Sequence, residues 1–342
     1  MTTDVTAIVL AHDEPELLSR TLKQLSLQNV LPKNVLVVDT SKTALENLGH
    51  PSLKLDPKTS FAASISAAVD FAKPTGFIWI LHDDSAPHSN ALEQLLREVE
   101  TSPSLAIVGP KQVDWDNPKI IRQLGLSLTR SGRILSRVRG EYDQGQHDNL
   151  KDVLAVGTAG ALISVETFKQ LGGFSPKAPV FAADVDFSMR ARLNGQRVIV
   201  APNAKVDHAM YSLAGKRRRS WLKTSPAIAL REAELHIKLS YANFFVFIFY
   251  WVTLLPLAIV FSVGFLLGKK PERILPEILG SVRAFFSIFN ILRSRRVISR
   301  TTSLKPKILR SLVATRAQVK QSNQKAKDLL VSQDLLAAHS RG

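Results

Sequence analysis

The 342-residue sequence predicts an α/β fold, with a mostly parallel sheet flanked by helices, a membrane-embedded helical segment after it and a basic helical tail. Three observations predict it. Short apolar runs alternate with helix-patterned stretches before residue 210, the 30 residues from Leu239 to Gly268 carry no formal charge, and the basic excess lies mainly after residue 210. The expected divisions are an α/β domain over 1–215, a basic juxtamembrane linker over 216–238, a membrane-embedded or interfacial helical region over 239–300, and a basic amphipathic tail over 301–342.

Val5 to Leu10 is an apolar run of strand length, and the helix-patterned Pro15 to Leu22 follows it with proline in the first turn, where no N–H is needed. Asn34 to Val38 is a second strand ending at Asp39, Phe61 to Phe71 has helical spacing, and Phe77 to Leu81 is a third strand. A helix over Ala91 to Glu100 and a fourth strand over Ala106 to Gly109 continue the alternation. This order argues for a sheet covered on both faces, with ligands at the carboxyl ends of its strands.

The uncharged stretch exceeds the roughly 20 apolar residues that cross a hydrocarbon core. Pro256, near its middle, predicts a kink or a break. A re-entrant hairpin there, or a return through Ile274 to Leu292, keeps both basic flanks on the cytoplasmic side. From Thr301 onward the tail suits an anionic membrane surface, where each Lys or Arg contributes about 1 kcal/mol.

A hydrophobic content of 45% supports a sizeable core, and the absence of cysteine excludes a disulfide framework and a thiolate metal site. The net charge of +16 and pI of about 10.1 call for an anionic partner. Its clusters, Lys216 to Arg219, Lys269–Lys270 and Arg293 to Arg296, bracket the apolar segment instead of interleaving with aromatics. That placement favours anionic membrane lipids over nucleic acid. Met1 to Val5 lacks the features of a signal peptide, so the α/β domain is expected at the cytoplasmic face of the cell membrane. No Walker loop or Gly-x-Gly-x-x-Gly fingerprint follows the first strand, so nucleotide recognition falls to acidic residues at strand ends.

The stretch from Trp79 to Pro87 is the most informative. An apolar strand ends in Asp83 and Asp84, delivering two carboxylates to a cleft. Such a position suits a hard divalent cation that takes its other ligands from substrate phosphates and water. The competing reading is a pair of caps for the next helix. Asp39 has the same two readings, as an acceptor for a base N–H or ribose hydroxyl and as a cap. Trp115 and the polar run Tyr142 to Asp148 offer aromatic and amide groups to a sugar.

With these pieces in order the chain resembles the family 2 glycosyltransferases of the GT-A (Rossmann-like) fold, of the membrane-associated kind common in actinobacteria. The resemblance covers residues 4 to 212. Its elements are Ile8 to Leu18, Val37 to Ser41, Leu81 to Ser85, Gly157 to Leu162 with Leu171 to Phe174, Ala183 to Arg192, and Val200 to His208. It implies metal-dependent inverting transfer of a sugar from a nucleotide-diphosphate donor to a lipid-linked or polysaccharide acceptor. By resemblance, Asp84 and His208 hold Mn²⁺ or Mg²⁺, and Ala11, Asp39, His82 and Asp83 line the donor nucleotide. Asp184 is the general base, with Asp186 as its support or substitute, and Trp115, Gly160 and Arg190 contact acceptor or sugar. The chain departs from the pattern at His82, where many relatives have Asp, and at Ala183, where the usual motif has Glu. Those departures support a rival reading, a catalytically degenerate homologue that binds sugars or scaffolds a membrane glycan-assembly complex.

Overall fold

The computed structural model describes residues 4–325 except 46–47, 103, 212–224 and 323. Strands β1 (Val5–Ala11), β2 (Asn34–Asp39), β3 (Ser52–Lys54) and β4 (Phe77–His82) run parallel in the order β3-β2-β1-β4. Alternate residues of these strands face opposite cores, as the two-residue period of a strand requires. Ile8, Val38 and Ile80 pack with α2 (Phe61–Ala72), whereas Val9, Val37 and Leu81 pack with α1 (Pro15–Ser26) and α3 (Ala91–Glu100).

The rest of the sheet is mixed. Strand β10 (Ala161–Ser164) lies antiparallel between β4 and β6 (Leu105–Asp114), so β6 points the same way as β4. β11 (Arg197–His208) runs parallel to β6, and β5 (Ser85–Pro87) closes that edge antiparallel to β11. β7 (Ile120–Leu128), β8 (Ile134–Val138) and β9 (Glu141–Tyr142) form an antiparallel extension on β6. The carboxyl ends of β1, β2, β4, β6 and β11 therefore share one edge.

Helices α4 (Val165–Gln170) and α5 (Ala183–Leu193) cover the sheet. Beyond them come α6 (Pro226–Tyr241), α7 (Phe244–Leu267), α8 (Ile274–Phe286) and α9 (Ile288–Thr301). Two expectations change here. The span 216–238 is not a linker over its described part, because α6 buries Ala233 and Ile237 against Val185 and Met189 of α5. No hairpin forms at Pro256; α7 continues through it as one helix, started by Asn243, whose side chain accepts the Val246 amide. The return instead runs through α8 and α9, which meet at a bend of 69°.

The tail also differs from a free amphipathic helix. Residues 303–314 strap across the α/β domain: the Ser303 and Leu304 amides donate to the Leu193 carbonyl, the Ala314 amide donates to the Leu128 carbonyl, and Leu309 is buried. Lys216 to Arg219 and the end of the tail, from residue 326, lie outside the described residues.

Candidate active site

Strand register brings the acidic residues together. Ala11 lies beside Asp39 on β2, and Leu10 lies beside His82 on β4. The chain then turns sharply through Asp83 and Asp84, which are 0% and 2% exposed. The Asp83 amide donates to the Leu10 carbonyl at 2.8 Å, its Oδ2 accepts the His12 amide at 2.7 Å, and its carbonyl accepts the Thr21 hydroxyl at 2.8 Å. Asp84 is gripped by the segment after β11, accepting the Ala209 amide at its carbonyl and the Tyr211 amide at Oδ2, 2.9 Å away. Neither caps α3, whose N-cap position is Asn90. Both stand at the carboxyl end of β4.

His208, at the end of β11, faces Asp84, with Nε2 3.6 Å from Oδ1. Its other ring nitrogen, Nδ1, lies 2.9 Å from Gln112 Oε1. The Gln112 amide is oriented by the bond from Nε2 to the Ala159 carbonyl, an acceptor only, so Oε1 must face the histidine. Oε1 cannot donate, and Nδ1 therefore carries the proton. With Nδ1 so engaged, Nε2 is the ring nitrogen left to face the Asp84 carboxylate. Two electron-rich atoms so placed suit a shared cation, and the donor set of one carboxylate and one imidazole fits a divalent ion. Among the described residues no group of three or more His, Asp or Glu side chains forms a protein-only cage. An ion here would complete its shell with phosphate oxygens and water.

His82 stacks on Phe61 at 5.9 Å, its ring centre is 6.1 Å from that of His208, and its Nε2 lies 3.2 Å from the Thr158 hydroxyl. Asp39 is buried and engaged by the loop after β2: Oδ1 accepts the Ser41 amide at 2.8 Å, and Oδ2 accepts the Leu45 amide at 3.0 Å and Lys54 Nζ at 3.1 Å. Burial works to raise its pKa, but the Leu45 and Ser41 amides, the Ser41 hydroxyl and Lys54 outweigh it and hold the carboxyl below its ordinary value. Asp39 thus shapes the loop at the β2 end. Ala11 is buried, and its carbonyl accepts the Thr40 amide.

Gly160 is held as glycine by packing. Its φ is +87°, and a Cβ would fall 2.8 Å from both Pro110 and Val206 side-chain atoms. Its carbonyl also accepts the Trp79 indole N–H at 3.0 Å.

Helix α5 separates the two aspartates assigned to catalysis. Asp184, in its first turn, stays partly open to solvent, yet burial pushes its carboxyl up to about 7 against the lowering effect of the Val185 amide. A line of rings, His82 on Phe61, Phe61 on Phe174 and Phe174 on Phe187, joins this helix to the β4 end. Asp186 points inward instead: Oδ2 accepts Arg190 Nε and Oδ1 accepts the Tyr241 hydroxyl, both at 2.9 Å. Arg190 is fully buried and donates to the Leu171 and Gly173 carbonyls at 2.7 and 2.8 Å. Neither the base role for Asp186 nor the sugar contact for Arg190 survives, because both side chains are committed in the interior.

Trp115 follows the end of β6, half-buried, with the Arg20 guanidinium 4.0 Å over its ring. Arg20 also pairs with Asp207 at 2.6 Å, and His88 approaches the other oxygen of that carboxylate at 2.7 Å. The run after Tyr142 is held by cations, with Asp143 and Asp148 both bonded to the buried Lys111. Sequence reasoning missed Gln112, His12, Lys54 and Arg20. Gln112 and Lys54 carry no motif; His12 and Arg20 lie in or beside the opening element without any signal of their partners.

A sequence model of the family described as glycosyltransferase like family 2 matches residues 3–225. No curated protein sequence matches the chain. Among solved structures, the crystal structure of GalNAc-T7 with UDP, GalNAc and Mn²⁺ aligns at 13% identity and TM-score 0.53, over 72% of this chain and 49% of that one. The match thus spans about half of that protein's length. The mannosyltransferase PcManGT from Pyrobaculum calidifontis, in complex with GDP-Man and Mn²⁺, aligns at 12% identity and TM-score 0.47, over 97% of this chain and 86% of that one. The GalNAc-T7 likeness speaks to fold, and the family match to kinship. A mixed α/β sheet with flanking helices and a GT-A-like form, matched by the family model over most of its length, makes this chain a member of the glycosyltransferase-like family 2.

Proposed function

We propose that the chain is a metal-dependent inverting glycosyltransferase that moves a sugar from a nucleotide-diphosphate donor to a lipid-linked or polysaccharide acceptor at the cytoplasmic membrane face, in cell-envelope glycan synthesis. The observation that carries this reading is the facing pair of Asp84 and His208, with Gln112 fixing the imidazole so that Nε2 is the ligand atom. Asp84 and His208 would hold a divalent ion, Mn²⁺ or Mg²⁺, and such an ion would supply positive charge to the departing nucleoside diphosphate. The chain's own groups do the rest. Asp83 and the His12 amide fix the turn beside the donor, His82 offers an imidazole to ribose or phosphate, and Trp115 gives the sugar an aromatic face. Asp184 takes the proton from the acceptor hydroxyl as that oxygen attacks the anomeric carbon opposite the leaving group. Its pKa of about 7 suits a base that works near neutral pH.

The test is a donor screen on the purified full-length chain and Asp84→Ala, with UDP-, GDP- and dTDP-sugars, with Mn²⁺, Mg²⁺ or EDTA, and with extracted membrane lipids as acceptor. The expected result is turnover of one donor that EDTA abolishes and that the variant loses by at least about 100-fold. Donor binding without turnover, indifferent to metal and unchanged in the variant, would overturn the reading in favour of the degenerate homologue.

A further inference from the structure

Helix α7 is long and apolar enough to cross a membrane, with mean hydropathy 2.5 and only 17% of its apolar window buried. Its packing, however, lays it along the protein. After the connection at 268–273 the chain doubles back, and the end of α8 meets the first half of α7. There the Trp251 ring stacks on Phe285 at 4.8 Å, and Trp251 Nε1 donates to the Phe285 carbonyl at 3.3 Å. The two helices are therefore antiparallel, and equal steps from that contact set Pro256, the middle of α7, level with Gly280 of α8.

Gly280 is where α8 approaches α6, since a Cβ there would lie 2.6 Å from Arg231 Cγ. One turn away, Glu277 is bonded to Arg231 of α6 and to Arg133 in the turn between β7 and β8, each at 2.7 Å. Arg133 also binds Glu234 at 2.9 Å. The middle of α7 is thus level with a buried charge cluster that includes the α/β domain itself. A crossing α7 would carry that cluster and the β7–β8 turn to the bilayer midplane, where charges and irregular backbone are expensive.

The contact stripe on α7 runs nearly end to end, through Phe247, Leu254, Ala258 and Ser262. The opposite face exposes Phe245, Phe249, Val252, Val260 and Val263, and Phe286, Phe289 and Leu292 on α8 and α9 are exposed as well. Exposed Lys269 and Lys270 follow α7, and exposed Arg293, Arg296 and Arg300 share α9 with Phe289 and Leu292. A second copy of a chain with net charge +16 would set like charges against each other across such a surface. Anionic head groups match it.

We infer that α7 lies in the plane of a single leaflet, with its outer face among acyl chains, these lysines and arginines at anionic phospholipid head groups, and both its ends on the side of the α/β domain. The inference rests on the membrane part of the reading above and is independent of the transfer chemistry.

Because the chain has no cysteine, single cysteines report cleanly. Lys23→Cys, on the exposed part of α1, and Lys270→Cys, just past α7, are compared in membrane vesicles from expressing cells, using a membrane-impermeant maleimide with and without detergent. The in-plane arrangement predicts that both positions react to within about twofold of each other without detergent. Reaction of one only after detergent, where the other reacts without it, places them on opposite sides and overturns the inference. Binding of the purified chain to phosphatidylcholine vesicles should tighten by about tenfold or more when phosphatidylglycerol is included. Equal binding to both vesicles, or none to either, overturns the lipid assignment. Neither readout needs donor or turnover, so a failure here is distinct from a failure of the catalytic reading.

Discussion

Burial of Asp184 in the first turn of α5 pushes its carboxyl up to about 7, and that one shift has opposite effects on chemistry and stability. In the proposed role of base it must be ionised, so kcat/KM should rise with pH and level off above about 7. As a folded-state group with a raised pKa, it contributes stability below the ordinary value of 3.8 and loses that contribution as pH rises toward 7. Asp184→Asn removes both effects. Transfer should fall by about 100- to 10,000-fold, and the variant should gain stability relative to the parent between pH 4 and 7, by at most a few kcal/mol on the order set by the shift. Rate profiles and urea midpoints at pH 5 and pH 8 check this; equal midpoint differences at the two pH values would contradict it. The Asp84–His208 pair was legible as residues in a motif. Its tautomer was not, because that depends on Gln112 and Ala159, which sequence separates widely and only the β6–β11 register and the loop before β10 bring near.

At the scale of elements, Asp186 and Arg190, given separate site roles by resemblance, form one intrahelical pair four residues apart. A pair on a helix reads the same in sequence whether it faces a cleft or a core. Here Arg190 ties α5 to the end of α4 through the Leu171 and Gly173 carbonyls, while Asp186 ties it to α6 through Tyr241. Arg190→Ala leaves a buried carboxylate and two carbonyls short of their donor, so stability should drop by roughly 3–5 kcal/mol, with the activity of the remaining folded fraction retained. Calorimetry together with an active-site titration separates the two; lost activity at unchanged stability would return Arg190 to the site. The parallel strands β1, β2 and β4 were legible because they are continuous apolar runs. Strand β3 is only Ser-Leu-Lys, and nothing local tells that β10 inserts between β4 and β6, since strand order is set by distant packing.

At the scale of the whole molecule, the sequence announces the apolar layer but not its direction, because a helix long enough to cross a bilayer can also pack along the protein and lie in it. The direction comes from charges that pin the layer to the α/β domain: Glu234 and Glu277 are shared between Arg231 and Arg133. Burial raises the pKa of Glu234, and the two arginines restrain that rise. Arg133→Ala removes one of them and leaves two buried carboxylates to a single guanidinium, which should cost on the order of 3 kcal/mol near neutral pH. The sign of its pH dependence follows from the raised value. Below the ordinary Glu value of 4.5 the folded and unfolded chains both hold the Glu234 proton, so the variant's deficit is small. As pH rises from there, the unfolded carboxyl ionises freely, while the folded one must ionise beside Glu277 without its second arginine, and the deficit grows. Denaturation of parent and variant in detergent from pH 4 to pH 8 reads this directly. A deficit that stays constant with pH would mean that Arg133 acts by packing alone, and that the α6–α8 layer is held to the domain by its apolar contacts without the charge cluster.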